Sequence, residues 1–183
     1  MEQVPWAREL ARRLLAESLP RRWAHTQGVG NKAESIAHIV GSRANLLICA
    51  AWLHDIGYAS ELIETGFHPI DGARYLRDTE KASNHLCQLV AHHSFALIEA
   101  ANRGLAGILV DEFPKSDGLI ADALTYCDMT TSPEGLPVDV RTRLKEITDR
   151  YGNTDLVSQS IREARPRIEK AVQILNSALE MPR

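Results

Sequence analysis

Apolar residues recur along this chain at three- and four-residue steps, the period of an α-helix. Leu10, Leu14 and Leu15 follow Pro5, which suits the first turn of a helix, and Pro20 is expected to end it. A second helix is predicted from Arg22 to about Val40, stopped by Gly41-Ser42. Its interior Gly28 and Gly30 each cost about 1 kcal/mol relative to alanine, which is tolerable where something must approach closely. Asn45 to His54 is apolar on almost every side and marks a helix in the middle of the domain, closed by Gly57. A short element, Ser60 to Glu64, precedes His68-Pro69, which opens a helix running to about Asp78. Asn84 to His93 forms another, with Leu86, Leu89, Val90 and His93 on one stripe. Gly104, Gly107, Pro114 and Gly118 make 102–117 a loop-rich stretch or lid. Leu119 to Cys127 is helical and apolar, and Thr130 to Pro137 is a turn-rich connection. Two helices close the chain, about 138–151 and 154–180. The last carries Ile161, Ala164, Ile168, Ala171, Val172, Leu175 and Leu179 on one stripe, read as core packing with a homodimer contact as the alternative. No strand alternation, repeat or low-complexity segment interrupts this, so the expected fold is all-α, a single domain over residues 1–183.

Composition narrows the function classes. A chain of 183 residues suits one domain and can bury a core without disulfides. The net charge of −3 offers no basic footprint for nucleic acid. Cys49, Cys87 and Cys127 are far apart in apolar segments, which argues for free buried thiols in a reducing cytosol rather than a disulfide framework or thiolate zinc site. The first 16 residues are too charged for a signal peptide, and the apolar run 44–53 is half of the ~20 residues a membrane span needs. A cytoplasmic protein without membrane or nucleic-acid partners is the expectation.

The seven histidines carry the chemistry. His38 and His85 read as structural. His54-Asp55 differs, because it ends the most apolar helix in the chain. Burying an imidazole beside a carboxylate is costly unless they pair with each other or coordinate a metal. Asp128 ends another apolar helix, His92-His93 a third, and His25 sits in the glycine-containing second helix. A polar cluster fed by several buried helices is how metal sites are built in helical bundles.

In this order, His25, His54-Asp55 and Asp128 resemble the H…HD…D signature of the HD-domain superfamily, with His54-Asp55 set in Trp52-Leu53-His54-Asp55-Ile56-Gly57. The resemblance implies an HD-domain helical bundle whose core spans about 22–128, with additional C-terminal helices at about 138–180. It also implies that His25, His54, Asp55 and Asp128 bind a divalent metal. His68 and His92-His93 extend the likeness to the H…HD…H…HH…D arrangement of HD-GYP phosphodiesterases, and the chain is similar to bacterial HD-domain diadenosine tetraphosphatases. On that pattern His68, His92 and His93 hold a second metal and Asp55 bridges the two. Of the adjacent pair, His93 shares the apolar stripe and should point inward. The GYP motif is missing after His93, and Tyr58 stands where those phosphodiesterases carry a lysine, so cyclic di-GMP is not expected as substrate.

The function implied is a metal-dependent phosphohydrolase acting on a nucleotide or other phosphate ester or anhydride through a metal-activated water. His54 and Asp55 form its catalytic centre. Mixed imidazole and carboxylate ligands suit iron or manganese, with magnesium, cobalt, nickel and zinc as alternatives, and the family pattern implies two ions per chain. Lys32, Arg74 and Arg103 are candidates for phosphate binding. Two other classes share the ligand set: an HD-fold diiron oxygenase, and a non-catalytic nucleotide- or metal-sensing module.

Overall fold

A computed structural model of the chain describes residues 3–115 and 118–180. Ser116 and Asp117, at the end of the expected loop-rich stretch, and Met1 and Glu2, at the charged start, lie outside the described residues. The described chain is all-helical, with one isolated bridge between Thr131 and Pro137.

Helix α1 covers Val4–Leu15 and buries Leu10, Leu14 and Leu15. Pro20 does not end it. Three turn residues do, and Pro20 opens the next helix, α2 (Pro20–Ile36), where its missing N–H would have had no partner in any case. A 3₁₀ stretch, Ala37–Arg43, then bends the chain at Gly41, whose φ of 56° is left-handed. Helix α3 (Ala44–Leu53) follows and buries every residue from Leu47 to Leu53. By length and composition the tract from Pro20 to Tyr58 is apolar enough to cross a membrane. The bend divides it, however, and the apolar part is a ten-residue helix enclosed by its neighbours. It packs against α1, α2 and two of the elements that follow.

The elements that follow are α4 (His68–Asp78), α5 (Asn84–His92), α6 (Ala96–Asn102), α7 (Ala106–Glu112) and α8 (Leu119–Met129). Ser83 caps α5 by accepting from the Leu86 N–H at 3.3 Å. The expected lid is partly a helix: α7 carries 106–112 and anchors itself through Leu109, fully buried. Its tie to α4 is ionic, since Glu112 accepts from both Arg74 and Arg77. The chain ends with α9 (Val140–Tyr151), capped by Asp139, and α10 (Leu156–Glu180). Helix α10 runs through Pro166 and turns Ala164, Ile168, Ala171, Val172 and Leu175 inward, so most of its stripe is core, while Ile161 is half-buried and Leu179 exposed. With Met129, Leu144 and Ile147 part of it forms a second apolar cluster beside the main core around Trp52 and Leu53.

The glycines of α2 are close-approach positions. A Cβ at Gly30 would lie 2.4 Å from the Trp52 ring, and one at Gly28 would lie 2.4 Å from the Gly135 carbonyl oxygen. The second contact seats the 130–137 connection against α2, next to His25.

Candidate metal centre

Six donor side chains converge where several helices end. His54 is the C-cap of α3, His93 follows the last residue of α5, and Asp128 stands in the last turn of α8. His68 is the first residue of α4, and His25 lies within α2. Three helix C-termini thus bring the negative ends of their dipoles to one place, a setting that favours a cation. Five of the six are buried, with His54 at 0% and Asp55 at 3% exposure. The His68 side chain is 16% exposed.

The donors fall into two groups, His25 with His54 and Asp128, and Asp55 with His68 and His93; within each group the ligand atoms lie within 4.8 Å of one another. Asp55 stands between them. Its Oδ2 is 3.2 Å from His54 Nε2 and 3.9 Å from His25 Nε2, while its Oδ1 is 3.4 Å from His68 Nε2 and 3.9 Å from His93 Nε2. His25 Nε2 lies 3.0 Å from Asp128 Oδ1, and the Nε2 atoms of His68 and His93 are 3.2 Å apart. Donors about 2.1 Å from a common metal sit roughly 3.0–3.4 Å from each other, so these spacings need little adjustment.

Three imidazoles are fixed from behind. The Nδ1–H of His25 donates to the Ser132 carbonyl, that of His54 to Ala51 and that of His93 to Val90, at 3.0, 2.8 and 2.7 Å. A carbonyl only accepts, so each Nδ1 carries the proton and each Nε2 presents a lone pair to the centre. His54 Nε2 is buried and has no hydrogen-bond partner among the described residues. That orphaned nitrogen, with two carboxylates beside it, fits a divalent ion. Ser94 donates from its hydroxyl to Asp128 Oδ2, and it does so from a strained backbone: Ser94 and Phe95 have φ of 48° and 63°. Such conformations cost of order 1–3 kcal/mol each and persist where the surroundings impose them.

Electrostatics keep the two carboxylates, His68 and His93 in their ligating forms. Burial would raise the Asp55 carboxyl, but Arg22, whose Nη1 is 2.7 Å from Asp55 Oδ2, and His54 hold it well below the usual carboxylate range. Burial would raise Asp128 too, and the adjacent His25 and His54 rings hold it down. Burial depresses His68 well below 6.5, with His93 and Arg22 adding to the effect, and burial with His54 depresses His93. Burial would also lower His54, but the Asp55 charge outweighs it and raises that ring.

Of the other residues singled out from sequence, His92 is turned away: its Nε2 donates to the Phe113 carbonyl at 2.6 Å, and it joins neither donor group. Consecutive helical residues point about 100° apart, so only one of the pair can face the centre. Lys32 holds the Thr130 hydroxyl at 2.6 Å, Arg74 pairs with Glu112 and Glu64, and Arg103 pairs with Glu99. None of the three lines the cleft at the donors. Arg22, Arg143 and Arg150 do, along with Tyr58, which stacks on His68 with ring centres 3.9 Å apart and carries the Arg22 guanidinium 4.1 Å above it. Two signals could have found these arginines. Arg22 precedes His25 by three residues and so shares its face, and Arg143 and Arg150 fall in step with Val140 and Ile147 on the buried stripe of α9.

The family model of the HD domain matches residues 22–175. The chain belongs to the HD domain family. The match begins at Arg22 and takes in all six donors of this HD domain, and it also covers α9 and most of α10. No curated protein and no solved structure matches the chain. The residues of this HD domain therefore carry its finer reading by themselves.

Proposed function

We propose that this HD-domain protein is a metal-dependent phosphohydrolase that cleaves a nucleotide or other phosphate ester or anhydride, with two divalent ions, iron or manganese, shared across Asp55. One observation carries the reading: Asp55 turns Oδ2 toward His54 and His25 and Oδ1 toward His68 and His93, so one carboxylate faces both donor groups. Bound there, such ions would polarise a phosphoryl oxygen and lower the pKa of a water from ~15.7 toward ~7.

The remaining work falls to the chain. His25, His54 and His93 have their Nδ1 protons committed to carbonyls, so they orient and do not shuttle protons from that side. Asp128, held by the Ser94 hydroxyl, keeps its carboxylate form and fixes one edge of the centre. Arg22 stands at the mouth, on Tyr58, where its guanidinium can turn from Asp55 to a bound phosphate. Tyr58 covers the His68 ring and restricts solvent there. A proton for the leaving oxygen then comes from solvent in the cleft.

Asp55→Ala tests the assignment. It should abolish metal retention and lower phosphate release from nucleotides more than about 100-fold, with the far-ultraviolet helical signal kept. Full metal content with full turnover in that variant would overturn it. Oxygen consumption without phosphate release in the native protein would instead favour the diiron oxygenase.

A further inference from the structure

Beside the donor cleft lies a cavity of about 320 Å³ that shares Arg22, Tyr58, Arg143 and Arg150 with it. Among the described residues its lining includes four arginines, Arg21, Arg22, Arg143 and Arg150, and no carboxylate. In a chain of net charge −3, that is a local reversal of sign. Counter-ions do not cancel it. Arg21 pairs with Glu134 at 3.0 Å and Arg22 with Asp55. Glu146 serves Arg143 at 2.5 Å, Arg150 at 3.6 Å and Arg21 at 4.0 Å. Three carboxylates thus face four arginines, and one positive charge remains.

Arg143 supplies a second, independent observation. It is 4% exposed, and its Nη1 donates to Glu146, but its buried Nε has no hydrogen-bond partner among the described residues. A buried N–H without an acceptor is destabilising, so Arg143 stands in the wall of this cavity with its hydrogen-bonding capacity only partly used. The planar guanidinium fork matches the oxygens of a phosphate better than a point cation would. Arg143 and Arg150 lie two turns apart on one face of α9, and Arg22, paired with Asp55, lines the same cleft.

We propose that Arg143 and Arg150 form a subsite for a second phosphate beyond the one cleaved, which makes the preferred substrates organic polyphosphates rather than monophosphates. This rests on the phosphohydrolase reading for its chemistry, but the subsite binds through arginines and not through metal. The cavity supplies apolar walls from Leu19, Pro20 and Pro133 for the organic group, and its volume lies at the lower end of ligand pockets.

The test uses two hydrolysis-resistant probes, methylphosphonate and methylenediphosphonate, titrated calorimetrically with saturating manganese into the native protein, Arg150→Gln and Arg143→Lys. The native protein should bind the diphosphonate at least about tenfold more tightly than the monophosphonate, and both variants should lose most of that preference at unchanged metal content. Arg150 is partly exposed at 29%, so its variant should fold even if the buried Arg143 is sensitive. A preference retained in Arg150→Gln, or no preference in the native protein, overturns the subsite. If the preference depends on the arginines but no nucleotide releases phosphate, the subsite stands and the hydrolase reading falls. If nucleotides release phosphate without any such preference, the hydrolase reading stands and the subsite falls.

Discussion

At the residue scale, the centre depends on small residues as much as on ligands. A Cβ added at Gly57 would lie 2.0 Å from the His68 carbonyl oxygen and 2.6 Å from the Gly72 nitrogen. Both atoms belong to the backbone of α4, so the start of that helix must move, and His68 with it. Gly57→Ala should therefore cost about 1–3 kcal/mol and release roughly half of the bound metal, read by elemental analysis. Unchanged metal would mean that His68 can shift freely and that its place against Asp55 is not set by this contact. The donors themselves are legible in the chain because each is a polar residue at or near the end of an apolar helix, where burial without a partner is costly. The adjacent pair is legible only through the stripe that places His93, and not His92, inward. Arg143 and Arg150 are legible only through their register with Val140 and Ile147, because an arginine among α9's many charges otherwise reads as solvated surface.

At the scale of elements, most helices follow from periodicity, and the departures have local causes. Pro20 reads in the sequence as a stop for α1, yet a proline one residue into a helix starts it equally well, and only the fold decides between the two. Helix α7 is hidden in the sequence because its seven residues sit among Gly104, Gly107 and Pro114, too short a run for a period to emerge. What holds it is Glu112, clamped by Arg74 and Arg77 of α4. The hydrogen bond from Arg74 draws the Glu112 carboxyl below its ordinary 4.5. A lowered carboxylate stabilises the fold above its unfolded value and loses that contribution as pH falls through its folded value. Glu112→Gln should accordingly lower stability by about 0.5–1 kcal/mol near pH 7, with the two proteins converging below pH ~4, as followed by urea unfolding. A constant difference at all pH values would place the effect in packing instead.

For the whole molecule, the bundle is organised so that the central α3 is core from Leu47 onward and chemistry at its end. Trp52 and Leu53 are fully buried, and the next two residues, His54 and Asp55, face the other donors. The all-α architecture is readable from the chain, as is membership of the HD domain family, because the His54-Asp55 pair and its partners are spaced along most of the sequence. The arginine-lined side of the cleft is not, since it is assembled from α2 and α9, which are distant in sequence.

The central claim is that Asp55 joins two metal-holding groups, and the number of ions per chain tests it most directly. Elemental analysis of protein purified without added metal or chelator should find about two divalent ions, iron or manganese, per native chain and about one in His68→Ala. One ion or fewer in the native protein, or the same number in His68→Ala as in the native chain, would contradict it.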